Sequence, residues 1–240
     1  MKKINKAEMS KVMEFGLMSG DRRFWRAVQT ATLLVVLGAL VGCAVRGRVE
    51  VHSVPLSKQS REAIRSVSFN RDVTMPGNLE YTGQAQGVAF IMFGAVGWAI
   101  MEPAAQGVKA QLEAAMRESA VDVGQIVREQ FAAELAAAGI FPTIAPEGGD
   151  AEFKIEVTRV GFVHAPFSTA LKPVLSMKAT LARRNGSVLW EMGDYVSNSN
   201  KETPAHALAE YIETPGLIRE ALSVASRVVV GRLVKHMRGK

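Results

Sequence analysis

The residue with the clearest chemical meaning is Cys43, the only cysteine of the 240-residue chain. A single cysteine excludes an intramolecular disulfide and any metal or iron–sulfur site that needs several thiolates. Cys43 ends an apolar run from Ala31 to Gly42, and this run follows the positive stretch Arg22 to Arg26. A charged region, an apolar region and small residues at its end form the pattern of a secretory signal. The sequence therefore predicts an exported protein.

The tetrapeptide Leu40-Val41-Gly42-Cys43 resembles the lipobox of bacterial lipoproteins. The resemblance implies that residues 1–42 are a signal peptide, that the Cys43 sulfur carries a diacylglyceryl group and that palmitate labels the mature protein. Two or three acyl chains anchor a protein stably, whereas one alone is marginal. An aspartate after the cysteine favours the inner membrane in Gram-negative lipoproteins, and Ala44 stands there instead. The resemblance thus implies the outer membrane, facing the periplasm. A buried cysteine or an uncleaved anchor is the alternative.

The net charge of +6 is concentrated in the leader, because residues 1–42 carry a net charge of +4. The region before the apolar run is long, so Met13 and Met18 are alternative starts to Met1. Hydrophobic residues make up 48% and charged residues 22% of the chain, as in ordinary globular proteins. No basic stripe with interleaved aromatic residues is present, so we expect no nucleic-acid partner.

The other side chains that could do chemistry are scattered along the chain. The histidines form no His-x-x-x-His or Glu-x-x-His pair; they are His52, His164, His206 and His236. No G-x-S-x-G nucleophile elbow and no glycine-rich phosphate loop occurs. Glu152 and Glu156 are expected to share a solvated strand face with Lys154, and Glu191 and Asp194 to point to opposite faces. The sequence therefore predicts no catalytic residue, no metal and no cofactor.

An apolar, glycine-rich segment at residues 83–101 has no charge from Gly87 to Met101. As a helix, these residues would reach roughly 22 Å, short of a hydrocarbon core of roughly 30 Å. Two interpretations stay open. The segment fills the core of its own domain, or Phe90, Phe93 and Trp98 form an exposed surface that contacts a membrane or a partner protein.

Two helices and a strand are predicted in the first half of the mature chain. Ile64 to Phe69 alternates as a half-buried strand does. Pro103 is expected to open a helix that ends near Ser119. Asp122 and Gln125 are expected to form a capping box at the start of a second helix, which ends at Gly139. The apolar face of that helix is formed by Val123, Ile126, Val127, Phe131 and Leu135.

The second half predicts a strand, a hairpin and two further helices. The strand begins near Phe153, with a bulge at Arg159-Val160 where its alternation changes phase. Asn185-Gly186 is expected to join two strands as a turn with positive φ at both residues. Thr203-Pro204 and Thr214-Pro215 are expected to open a short helix and a long helix.

These elements predict an α+β fold: a small, mostly antiparallel sheet with helices packed on one face, plus the apolar glycine-rich segment. The predicted organisation is a signal peptide (1–42), a lipidated tether (43–62) and a periplasmic domain (63–240). Ala137-Ala138-Gly139-Ile140-Phe141, followed by the strand at 151–157, resembles the auxiliary lipoproteins of ABC-type transport systems. The element order also resembles the curli-secretion-like lipoprotein fold.

Three functions remain as hypotheses. The first is a non-enzymatic membrane-anchored lipoprotein that acts through protein or lipid contacts, with the membrane and an unidentified envelope protein as partners. The second, implied by the resemblance, is an auxiliary component of an ABC-type lipid or solute transport system. The third is a periplasmic hydrolase with a dispersed site.

Overall fold

The computed structural model describes residues 53–239, and for residues 84–98 and 100 it describes the backbone alone. The helices are α1 (Lys58–Ala63), α2 (Gln84–Glu118), α3 (Val123–Ala138), α4 (Leu208–Glu213) and α5 (Leu217–Met237). The strands are β1 (Ser66–Phe69), β2 (Glu80–Thr82), β3 (Thr143–Ile144), β4 (Ala151–His164), β5 (Leu171–Arg183) and β6 (Val188–Val196).

The fold is α+β, as predicted, and its six strands form one mixed sheet. The strand order is β3-β1-β4-β5-β6, and β2 also pairs with β4. The two long pairings, β4 with β5 and β5 with β6, are antiparallel. The three short pairings, β1 with β3, β1 with β4 and β2 with β4, are parallel. The sheet is therefore antiparallel along its long strands and parallel where the first strands join it.

A bulge divides β4 into two halves with different neighbours. The register with β5 shifts between Val157 and Arg159, as the sequence predicts. Val157 is buried before the shift and Val160 and Phe162 after it, so the bulge keeps apolar side chains in the core. β1 pairs with the first half of β4, and β2 pairs with the second half.

The core lies between the sheet and the pair α3 and α5, which pack against each other. The five apolar residues predicted for α3 are the ones it buries. Asp122 caps α3 by accepting a hydrogen bond from the Gln125 amide at 2.9 Å, and Gly139 ends it with φ 59°. The Gln125 side chain donates to Glu129 instead of completing a capping box.

The prediction that Pro103 opens a helix is wrong. α2 runs without a break from Gln84 to Glu118, with Pro103 inside it, so the apolar segment belongs to the same helix. A proline inside a helix removes one backbone hydrogen bond and costs about 3 kcal/mol. Burial of Ala105, Leu112 and Ala115 after the proline stabilises the continuation.

Three turn and cap predictions are corrected. The β5–β6 hairpin forms, but only Gly186 has positive φ (84°), and Asn185 does not. The Gly186 amide donates to Arg183 O and the Arg183 amide to Ser187 O, which makes a three-residue loop with a left-handed glycine. The short and long helices begin later than predicted, at Leu208 and Leu217, after the N-cap residues Ala207 and Gly216.

Part of the segment predicted as a tether lies on the domain. Val54 forms an antiparallel bridge with Glu191 on the outer edge of β6, and Leu56 is buried. α1 follows, and Arg61 Nη2 donates to the carbonyl of Met237 at 3.1 Å. The folded unit therefore includes residues from Val54 onwards, before the predicted boundary at 63.

Candidate functional site

An open groove of about 560 Å³ lies between the loop 75–79 and the turn that joins α2 to α3. Its apolar lining comes mainly from Met75, Leu79, Met116, Val121 and Val160. Methionine side chains are flexible and polarisable, and they adapt to partners of different shape. The groove is therefore suited to contact with an apolar group.

Backbone geometry at the α2–α3 turn shapes one wall of this groove. Ala120 has φ 46°, which is uncommon for a residue other than glycine. The Val121 amide donates to Met116 O at 2.9 Å, and Arg219 donates to Ala120 O at 3.3 Å. These bonds hold the turn in place, so the groove wall is preformed.

The opposite wall is fixed by close packing on the start of α3. Thr74 bridges to Glu156 of β4, which places Met75 beside the sheet. A Cβ added to Gly124 would lie 3.3 Å from Val73 Cβ and 3.8 Å from Met75 Sδ, so this backbone approaches the loop closely. Met75 is still 38% exposed, and its side chain is accessible from solvent.

The groove rim carries charged side chains of both signs: Glu113, Arg117 and Asp122. Glu113 pairs with Lys109 at 3.9 Å, and Asp122 is occupied as the N-cap of α3. Mixed charge around an apolar floor is typical of a protein-contact site with a polar rim.

The structure places two of the four histidines on either side of Leu171. Leu171 pairs with His164 across the β4–β5 ladder and with His206 through an isolated bridge. His164 Nε2 lies 3.3 Å from the Tyr81 hydroxyl, and His206 Nδ1 lies 3.1 Å from Glu210. Burial raises the pKa of Tyr81. Each histidine thus has its own partner, and the two do not contact each other through these bonds.

The remaining histidine in the described part of the chain supports packing. Trp190 is fully buried, and its Nε1 donates to His236 Nδ1 at 3.2 Å. Trp190 is therefore a packing residue of the core. Within residues 53–239, no group of three or more metal-ligating side chains comes together.

Several predicted site residues lie outside the residues, or outside the side chains, that the structure describes. Cys43 and His52 fall outside the described residues. Phe90, Phe93 and Trp98 lie on α2, whose backbone is described there without the side chains, so their contact role stays a prediction. No helix within residues 53–239 is both long and apolar enough to cross a membrane.

Two exposed features were missed from the sequence. The groove was not predicted, although its residues Met75 to Asn78 form a turn cluster that the sequence shows. Phe167 is fully exposed in the β4–β5 loop with φ 56°. The signal in the sequence was the pair Pro166-Phe167 between two strands. Proline is common in the second position of a type II turn, and the third position usually holds glycine, so a phenylalanine there is unusual.

No family model and no curated protein sequence matches the chain. Among solved structures, a PelC variant dodecamer from Paraburkholderia phytofirmans is similar, at TM-score 0.37 and 12% identity, over 78% of this chain and 95% of that one. A Xanthomonas campestris protein described under DUF330 has TM-score 0.39 and 12% identity, over 77% and 89%. Lipoprotein GNA1162 from Neisseria meningitidis has TM-score 0.22 and 18% identity, over 57% and 86%. Likeness at this level carries no argument about function.

Proposed function

We propose that this protein is a lipoprotein of the bacterial cell envelope, anchored through acyl chains on Cys43, whose α+β domain acts by contact and not by catalysis. The observation that supports the contact role best is the open groove beside Met75 and Met116. Its lining is largely apolar, and it holds no histidine, serine, threonine or cysteine among the residues the structure describes there. An adaptable apolar floor with a charged rim suits a side chain or helix of a partner protein.

The anchor is supported by the order of features in the leader and by the start of the fold. Cys43 follows a charged and then an apolar region. The bridge at Val54 lies about ten residues later, so a short connection joins the cysteine to the domain. The outer membrane, facing the periplasm, is the proposed location, because Ala44 follows the cysteine.

Metabolic labelling with palmitate tests the anchor. The wild-type chain should take up label, and Cys43→Ser should take up none. Because Cys43 is the only cysteine, no other thiol can supply the signal. Equal labelling of the two chains would reject the anchor and would not bear on the contact role of the groove.

Site-specific photo-crosslinking in cells tests the groove. A photoreactive residue replaces Met75 in the groove or Val188, which is 47% exposed beside the β5–β6 turn. We expect an adduct with one envelope protein from position 75 and not from 188. A transport permease or ATPase in that adduct would favour the auxiliary transport role. Equal adducts from both positions, or none from 75, would reject the groove as the contact site.

A further inference from the structure

The loop between β4 and β5 displays an aromatic side chain that the fold does not use. Residues 165–170 read Ala-Pro-Phe-Ser-Thr-Ala and carry no charge. Phe167 is fully exposed, although the other exposed large hydrophobic residues of the described chain reach only about half exposure. An exposed phenylalanine gains nothing from the hydrophobic effect in the isolated domain.

The backbone at Phe167 is strained as well as exposed. The Ser168 amide donates to Ala165 O at 3.2 Å, with Pro166 second and Phe167 third in the turn, and φ of Phe167 is 56°. Proline followed by a residue with positive φ is the order of a type II turn, which favours glycine in the third position. A bulky residue there is a genuine outlier, and such strain clusters at contact and binding sites.

Neighbouring hydrogen bonds hold the loop in this conformation. The Ala165 amide donates to Ala170 O at 2.8 Å, and the Ala170 amide donates to Ser168 Oγ at 3.1 Å. Asn198, in the loop after β6, donates from its Nδ2 to His164 O at 2.9 Å. The phenylalanine is therefore presented by a defined turn.

A second uncharged segment starts at the same end of the sheet. Thr82 of β2 pairs with Val163, one residue before the end of β4, and α2 begins at Gln84. No charged residue occurs between Glu80 and Glu102. The end of the sheet that carries Phe167 is thus also where the long uncharged stretch of the chain begins.

Ser53, the first residue that the structure describes, lies toward this same end of the sheet. Val54 and Glu191 exchange both backbone hydrogen bonds in an antiparallel bridge. Moving from Val54 toward Ser53 therefore runs along β6 toward Val196, which pairs with Leu175 near the β4–β5 loop. Ten residue steps separate Ser53 from Cys43, which limits the distance between them to about 35 Å.

We propose that Phe167 inserts into the lipid bilayer that anchors Cys43, so that the β4–β5 loop is a second membrane contact. This inference rests on the proposed acylation of Cys43. One aromatic side chain alone binds a membrane weakly, but the acyl anchor supplies a high effective concentration of lipid surface. The second contact fixes which end of the domain faces the membrane.

The test uses the lipidated mature protein in vesicles of phosphatidylethanolamine and phosphatidylglycerol. Thr169→Cys places a polarity-sensitive fluorophore beside Phe167, because the native cysteine is blocked by its lipid. Val188→Cys is the matched control, since Val188 pairs with Ala182 at the far end of β5. On binding to the vesicles, the emission of the fluorophore at position 169 should shift to the blue, and lipids with a quencher on the acyl chain should quench it. The fluorophore at position 188 should show neither effect.

Replacing the phenylalanine keeps the test independent of folding. Phe167→Gly and Phe167→Asn suit a positive φ, so both should fold with an unchanged or higher melting temperature. In either background the fluorophore at position 169 should lose its blue shift and its quenching. Quenching that persists in these folded variants would overturn the role of Phe167.

Other outcomes separate this inference from the anchor. An unquenched fluorophore at position 169 on protein with palmitate-labelled Cys43 overturns the second contact and leaves the anchor intact. Shielding from aqueous iodide in native envelope membranes, with no quenching in pure lipid vesicles, would place a protein partner there and also overturn it. Absence of lipid on Cys43 overturns both proposals together.

Discussion

At the scale of single residues, Asp150 ties the start of β4 to the start of β1. Its Oδ2 accepts hydrogen bonds from the amides of Arg65 and Ser66 at 2.9 and 3.0 Å. The Asp150 amide in turn donates to Ser66 O at 2.9 Å. The two backbone donors hold the pKa of this carboxyl below its usual range. The ionised carboxylate is therefore the form that the folded state prefers.

Asp150→Asn should flatten the acid limb of the stability profile. Because folding lowers the pKa of Asp150, its contribution is fully present above the unfolded pKa of about 4 and is lost as the pH falls through the lower folded value. Urea unfolding from pH 7 down to pH 3 should show a steeper loss for the wild type than for the variant.

The control for this series is Glu62→Gln, since Glu62 is exposed and pairs with Lys58 at 3.9 Å. Its profile should follow the wild type. Parallel profiles for wild type and Asp150→Asn would contradict the role assigned to the Asp150 carboxylate.

At the scale of elements, the pairing of β2 with β4 depends on a missing side chain. Glu80 pairs with Gly161, and a Cβ on Gly161 would collide with the backbone carbonyl of Glu80. Glu80 also forms an ion pair with Arg159 across the same two strands. The close approach of the two backbones is possible only because residue 161 is glycine.

Gly161→Ala should destabilise the domain by about 2 kcal/mol or more, because overpacking against backbone cannot be relieved by rotating a side chain. The matched variant Gly231→Ala lies in α5, where an added Cβ meets nothing within 4 Å. It should stabilise the domain by about 0.5–1 kcal/mol through helix propensity. Urea denaturation measures both, and equal effects of the two alanines would contradict the β2–β4 contact.

The elements differ in how far the sequence predicts them. α3 was predicted with its cap, its five buried residues and its final glycine, because periodicity and capping are local properties. The bulge in β4 was found for the same reason. The parallel pairing of β1 and β2 with β4 was not predicted, because it joins residues about 80 positions apart and depends on the tertiary fold.

The candidate sites follow the same division. The residues Met75 to Asn78 form a turn pattern that is local in the sequence, but the groove also needs Met116 and Val160, which only the fold brings there. The predicted type of turn at Gly186 was wrong because two-residue and three-residue hairpin loops have similar sequences. Phe167 was missed because propensity favours glycine at its position.

At the scale of the whole molecule, the beginning and the end of the domain are joined. Arg61 of α1 donates to the last-turn carbonyl of Met237 in α5. Carbonyls in the last turn of a helix lack partners within the helix, and a cation there is favourable. The contact therefore joins the first and the last helix of the described domain.

Arg61→Ala should lower the free energy of unfolding by about 1.5 kcal/mol, as expected for a hydrogen bond to a charged donor. Amides in the last turn of α5 should also exchange faster with deuterium. Arg65→Ala, on an exposed side chain four residues later, is the control and should change neither. Unchanged exchange in Arg61→Ala would show that the contact does not hold the helix end.

The late position of β4 has a consequence for the order in which the chain can fold during synthesis. β2 pairs with β4 and Val54 with Glu191, and β1 pairs with β4 as well as with the earlier two-residue strand β3. Most of this pairing therefore forms only once residues 151–191 have emerged. Contacts between such distant residues form slowly, since loop closure precedes any stabilising pairing. A nascent chain stopped before Ala151 lacks the central strand of its sheet. The helices α2 and α3 are therefore made before the central strand, and the sheet can close only late in synthesis.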